Sequence, residues 1–245
     1  MTAPYNEKTK QYLLKFALNA YFGEEDFLVT SCNKLAYQTI KSWPYWSHFG
    51  LNIFGPKSCG KSHLAHIWIN EVEKFISRPV QIPIIQAENI NMKNIHKLAT
   101  ENNYIVIENM STNINEEALF HLYNFYNIPD HFILFTSLMP FSKLKLKLPD
   151  LRSRLNTIPS AEILTPDDEM LTALIAKLFN DRQLIISQEI LNYILNNSER
   201  SFEYISKLID EIDNLSWTYS RAVSIPIVKE ALNNLNKNQQ LDLFI

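Results

Sequence analysis

Residues 50–70 read GLNIFGPKSCGKSHLAHIWIN, and no other stretch constrains the fold of this chain as tightly. An apolar segment runs into Gly55, and Gly60-Lys61-Ser62 then opens a sequence with Leu64, Ala65, Trp68 and Ile69 at helical spacing. This is GxxxxGK[ST] without a mismatch, in the strand–loop–helix context that the motif requires. Glycine lets such a loop wrap until its backbone N–H groups converge, and the next helix adds the positive end of its dipole. A loop of this kind binds phosphate. Gly55, Pro56, Lys57, Ser58, Cys59, Gly60, Lys61 and Ser62 form the candidate cradle, with Lys61 bridging the β- and γ-phosphates and the Ser62 hydroxyl a ligand for Mg²⁺. The whole chain has four glycines, and two of them falling at this spacing argues against a chance flexible turn.

The surrounding pattern predicts an α/β fold. Short apolar runs at 51–54, 80–85, 104–107 and 132–136 alternate with helical stretches, which indicates a parallel sheet flanked by helices. Before them, VTSCNKLAYQTIKSWP places Leu35, Ala36, Thr39, Ile40 and Trp43 on one helical face, ended by Pro44. Past residue 164 the strands disappear. TPDDEMLTALIAKLFNDR predicts a helix capped by Thr165, with Pro166 at its first position and Asp167, Asp168 and Glu169 in its first turn. More helical segments follow, so the last third is a small all-α domain. The division is an N-terminal arm at 1–28, a sheet domain at 29–163, a helical domain at 164–235 and a tail at 236–245.

Composition limits what such a chain does. A net charge of −3 and a pI near 6.1 argue against wholesale coating of nucleic acid or anionic membrane. Cys32 and Cys59 are too few for a disulfide framework and lack metal-ligand spacing, which favours a reducing cytoplasm. No apolar run approaches the roughly 18 residues that span a bilayer, and the N-terminus has no apolar signal core, so no membrane partner is expected. A second strand, NYIVIENM, ends on Glu108 and Asn109; Glu108 is placed to hold the water shell of Mg²⁺, making Ser62 and Glu108 the candidate metal pair.

Together EEDFLVTSCNKLA, GPKSCGKSHLAHIW, YIVIEN, LPDLRSRL, ERSFEYISKLIDEID and SIPIVKEAL resemble the Hda family, DnaA-related AAA+ proteins that regulate the bacterial replication initiator. The resemblance runs from about Asp26 to Leu232. It implies an AAA+ P-loop domain with a helical lid, ATP or ADP with Mg²⁺ as ligand, and nucleotide contacts from Glu108, Asn109 and Thr136. LPDLRSRL places Arg154 where the family carries its arginine finger, a planar permanent charge that reaches a neighbour's γ-phosphate in trans. The Lys143, Lys145 and Lys147 side chains just upstream read as a solvated basic face. DnaA carries a further helix-turn-helix domain that reads origin DNA; this sequence ends after the lid, so direct sequence-specific DNA binding is not expected.

Three positions depart from the family pattern. Asn109 stands where hydrolysing members carry a carboxylate, and an amide cannot accept a proton from the attacking water. Leu138 follows Thr136 and Ser137 where DnaA-like proteins often carry an acid. Glu203 falls where a lid arginine contacts nucleotide, and Arg200 substitutes only by reaching from another helix face. Weak intrinsic ATP hydrolysis is expected.

The chain ends on NQQLDLFI. Gln240, Leu241, Asp242, Leu243 and Phe244 resemble the pentapeptide that docks on the bacterial DNA polymerase III β sliding clamp. An extended segment seats two apolar side chains in a cleft, at an ordering cost that core residues do not incur. The family usually carries this motif near the N-terminus, and QYLLKF offers Gln11, Leu14 and Phe16 there. The C-terminal copy ranks first on match and the N-terminal one second on position. The resemblance thus implies a cytoplasmic bacterial regulator with DnaA and the clamp as partners. It leaves room for a homodimer and for two rivals: a non-catalytic adaptor between clamp and DnaA, and a helicase-loader-like ATPase.

Overall fold

The computed structural model describes residues 24–242. Its centre is a wholly parallel five-stranded sheet in the order β2-β3-β4-β1-β5, built from β1 (Gly50–Phe54), β2 (Ile84–Gln86), β3 (Tyr104–Met110), β4 (Phe132–Ser137) and β5 (Ser160–Glu162). Helices cover both faces, which is why the central strands read as near-continuous apolar runs. On one face α1 (Lys34–Lys41) and α2 (Lys61–Ile76) bury Ile40, Leu64 and Trp68 against Leu51, Ile53, Val106 and Leu134. On the other, α3 (Ile95–Glu101), α4 (Glu116–Tyr126) and α5 (Pro149–Leu155) pack Leu119, Leu122 and Leu151 against Ile105, Ile107, Ile133 and Phe135. Strand alternation sends Ile105 and Ile107 to one core and Val106 to the other.

Four helices form the lid: α6 (Asp168–Asp181), α7 (Gln188–Asn197), α8 (Phe202–Tyr219) and α9 (Ile225–Asp242). Their own core holds Ile175, Phe179, Ile194, Leu208, Ile212 and Val228. Met170 of α6 and Phe202 of α8 instead bury in the sheet domain's core beside α1 and α2, so apolar contact fastens lid to sheet. Polar contacts reinforce that seam. Ser31 Oγ donates to Asp167 Oδ2 at 2.5 Å, Leu164 N donates to the Cys32 carbonyl at 2.9 Å, and Arg200 pairs with Asp168.

Local chemistry shifts several predicted boundaries. The lid's first helix is capped by Asp167 rather than Thr165: its carboxylate accepts from Met170 N at 2.7 Å, so helical residues begin at Asp168. The strand predicted at 80–85 is Ile84–Gln86, since Pro83 has no N–H and contributes only its carbonyl to Val106 N, at 2.9 Å. The short edge strand β5 carries no long apolar run, and its place comes from pairing with β1, Asn52 opposite Ser160. Helix α9 continues to Asp242, beyond the boundary at 235, so Gln240, Leu241 and Asp242 belong to its last turn. Among the described residues, no helix is long and apolar enough to cross a membrane.

The start of the described chain is tied down by charge. Glu24 accepts from Lys41 Nζ at 2.7 Å and from the Tyr37 hydroxyl at 2.6 Å, and Lys74 approaches within 3.5 Å. The hydrogen bond from Lys41, with that of Tyr37, lowers its carboxyl from 4.5 to about 2. A depressed carboxylate stabilises the fold above its unfolded value and loses that contribution as pH falls through the folded one. E24Q is therefore expected to lower stability by about 1 kcal/mol at neutral pH in urea unfolding. The gap from the unsubstituted protein should shrink as pH drops from 4.5 toward 2; a gap constant across that window would rule out ionisation of Glu24 as its source.

Candidate functional site

The loop after β1 owes its shape to two glycines. A Cβ on Gly55 would lie 2.6 Å from the Ile163 carbonyl oxygen and 3.1 Å from Cys59 Sγ, so only hydrogen fits. Gly60 takes a left-handed φ of 94° as it caps α2, which turns the chain abruptly into the helix. Inside this wrap lies Lys61, only 9% exposed. Its ammonium donates to the carbonyls of Gly55 at 3.0 Å and Pro56 at 2.6 Å, with Cys59 Sγ 3.7 Å away. A buried cation held by the carbonyls of its own loop has donors that phosphate oxygens can take over. Cys59 fills the space beneath; burial raises its thiol pKa, which suits packing rather than nucleophilic chemistry.

The acid strand reaches the loop through an irregularity. In regular pleating Glu108 and Asn109 would face opposite sides of the sheet. The register of β3 against β4 shifts between Ile107 and Met110, and Asn109 adopts a left-handed φ of 58°, a region that asparagine tolerates better than most residues. Thr136 holds this bulge from β4, its hydroxyl accepting from Asn109 N at 3.2 Å. As a result Glu108 Oε1 accepts from Ser62 Oγ at 2.5 Å, bringing the two candidate metal ligands together. Two hard oxygen donors at the mouth of a phosphate loop suit Mg²⁺, which takes few protein ligands and keeps waters. Among the described residues, no cluster of three or more His, Cys, Asp or Glu side chains is placed to hold a metal ion.

Gln86 completes the arrangement and was not singled out in the sequence. Its Nε2 donates to Glu108 Oε2 at 3.1 Å, while its Oε1 accepts from Asn109 Nδ2 at 2.6 Å. One amide thus bridges Glu108 and Asn109. The available signal was pairing: Gln86 sits opposite Glu108 in the β2–β3 register. A cleft of about 380 Å³ opens here, lined by Lys57, Cys59, Lys61, Ser62, Asn109 and Leu138. An acid on the lid lies within the electrostatic reach of Lys57. Glu203 accepts from Lys207 at 2.9 Å, and that hydrogen bond, aided by the positive field of Lys57, keeps its carboxyl below the usual range. Arg200 is engaged by Asp168.

Arg154 lies elsewhere. On α5, Leu151 and Leu155 point into the core while Arg154 rests half-buried against α4, its guanidinium carbon 5.1 Å from the centre of the Phe120 ring and 5.5 Å from that of Tyr123. Upstream, Lys143, Lys145 and Lys147 are exposed and alternate with buried Leu144 and Leu146. Of the clamp-like residues, Gln240, Leu241 and Asp242 are helical in α9, whereas Leu243, Phe244, Gln11, Leu14 and Phe16 lie outside the described residues.

Known proteins share this organisation. The lid matches the family described as Hda, lid domain, over residues 167–232. A Haemophilus influenzae chain described only as an uncharacterized protein is 25% identical over 220 residues, covering 88% of this chain and 93% of its own length. The chromosomal replication initiator protein DnaA of Campylobacter jejuni subsp. doylei is 23% identical over 245 residues, covering 93% of this chain, which spans just over half, 56%, of that DnaA. In three dimensions, domain III of Thermotoga maritima DnaA superposes with a TM-score of 0.73 at 20% identity, covering 87% of this chain and 96% of that domain. The AMPPCP-bound DnaA of Aquifex aeolicus gives 0.66 at 20% identity, covering 93% of this chain and 72% of that one. Lid, relatives and fold agree: residues 167–232 match the Hda lid domain, and the chain is similar to DnaA and shares the fold of its domain III.

Proposed function

We propose that this protein regulates the initiation of chromosomal replication: it binds an adenine nucleotide with Mg²⁺, docks on the sliding clamp, and presents Arg154 to ATP held by DnaA, stimulating its hydrolysis and switching the initiator off. The observation that carries this is a division of labour within one chain. The phosphate loop is complete, yet the position beside Glu108 holds Asn109, locked by Gln86. Arg154 meanwhile lies on α5 against α4 rather than in the lining of that cleft. A site that holds nucleotide without a proton acceptor, in a chain carrying an arginine apart from its own loop, suits an activator in trans better than an autonomous ATPase.

For the nucleotide, Lys61 and the loop amides would take the phosphates, and Ser62 and Glu108 the metal; the bound cation would offset charge on the phosphate oxygens. Glu203 puts a negative charge on the lid near Lys57, which disfavours additional phosphate charge and so favours ADP. K61A is expected to weaken nucleotide binding by about 10- to 100-fold, the value of a charged hydrogen-bonding group. Titration with a fluorescent ADP or ATP analogue measures it, and wild-type affinity in K61A would exclude the loop as the binding site.

The finger makes a sharper demand. In a reconstitution with ATP-charged DnaA and DNA-loaded clamp, R154A should keep clamp binding and lose stimulated phosphate release by about 1,000-fold or more, the scale on which trans-acting arginines operate. Full stimulation by R154A would sink the activator. Glu203 and Asn109 also suit a second reading, a non-catalytic adaptor that bridges clamp and DnaA. An adaptor would give no stimulation even with Arg154 intact.

The clamp contact has its own test. Burial of Leu243 and Phe244 would contribute about 3–6 kcal/mol before ordering costs. Deleting residues 240–245 should therefore weaken binding to immobilised clamp by about 100-fold. Should the deletion bind normally while Gln11→Ala does not, the N-terminal segment is the anchor.

A further inference from the structure

Helix α4 lays three residues along one face at i, i+4 and i+7: Glu116, Phe120 and Tyr123. Each meets the segment that carries Arg154. Glu116 Oε1 accepts from Lys147 N at 3.0 Å and its Oε2 from Leu148 N at 2.6 Å, so one carboxylate holds the entry to α5 through the backbone donors of its N-cap, Leu148, and of the residue before it. At the far end of α5 the Arg154 guanidinium lies against the Phe120 and Tyr123 rings.

Tyr123 is in turn held in place. Its hydroxyl lies 3.3 Å from both His48 Nε2 and Thr157 Oγ1, and Thr157 Oγ1 donates to the Arg154 carbonyl at 2.7 Å. His48 Nδ1 accepts from Gly50 N at 2.9 Å, which leaves Nε2 to carry the ring proton toward Tyr123 and Thr157. Gly50 is the first residue of β1, so this network ends on the sheet itself. An arginine is a long, rotamer-rich side chain, and an anchored tyrosine ring with a phenylalanine ring packed on the core beside it restricts where its plane can go.

We propose that Phe120 and Tyr123 are positioning residues for Arg154, and that α4, with Glu116 fixing the start of α5, is a rigid ledge that pre-orients the guanidinium for a partner's nucleotide. This rests on the trans-acting role proposed above. Pre-orientation matters because a charge placed in advance costs no rearrangement when the reaction occurs.

The test uses the full chain in the reconstitution with ATP-charged DnaA and DNA-loaded clamp, with phosphate release followed against protein concentration. F120L keeps apolar bulk and removes the ring at a partly buried position, so the fold should survive; thermal unfolding checks this. F120L should lower the maximal stimulated rate by about three- to tenfold at an unchanged half-saturating concentration. F120Y, which restores a π face, should recover the rate. By NMR, the ring-current shift of the Arg154 Hδ protons should shrink in F120L and return in F120Y, independently of DnaA. A maximal rate and Arg154 shift unaltered by F120L, with R154A inactive, would overturn the ledge alone. A loss seen only in half-saturation would make Phe120 a docking contact and overturn it as well. Full activity of R154A would remove the trans-acting role and the ledge with it.

Discussion

The candidate site depends on the backbone at Gly55, pinned from three sides. Its N–H donates to the Ser137 carbonyl at 3.3 Å, its own carbonyl accepts from Lys61 at 3.0 Å, and its Cα passes so close to the Ile163 carbonyl that no side chain fits. Ser137 ends β4, Lys61 opens α2, and Ile163 leads from β5 toward the lid. One residue is therefore the crossing point of loop, sheet and lid connection. Interiors packed this tightly transmit displacements instead of absorbing them, so a change at the loop has a short physical route toward α6.

Polar side chains decide how that frame is used. The bulge at Glu108 and Asn109 brings both residues toward one amide, and Thr136 holds its backbone. In the lid, Glu203 in the first turn of α8 pairs with Lys207 one turn further on, and Arg200 is committed to Asp168. Lysines of the loop line the cleft, and the acid on the lid lies within the electrostatic reach of Lys57. On the opposite sheet face, α4 and α5 form a separate assembly whose polar ends attach to the chain just ahead of β1 through His48.

Much of this was legible in the sequence, and the limits have physical causes. The tight loop after β1 could be read because its wrap needs glycine at fixed spacing, and the nearness of Glu108 to Ser62 because an apolar run ended on Glu108. Gln86 could not, since its importance comes from lying beside Glu108 across a register that no local pattern encodes. Asp167 displaced Thr165 as cap because only its carboxylate reaches Met170 N, while also taking the Ser31 hydroxyl. Phe120 and Tyr123 read as ordinary amphipathic helix residues, and only packing of α5 against α4 reveals which face of them a guanidinium covers.

The C-terminal helix has one further implication. Because α9 winds on through Asp242, any receptor that takes Gln240 onward as extended peptide must first melt a helical turn. Terminal turns fray at little cost, since their last carbonyls have no partner within the helix. Capture of this end would therefore be coupled to local unwinding, and substitutions that strengthen or weaken helix propensity near residue 238 would tune affinity without touching the receptor's cleft.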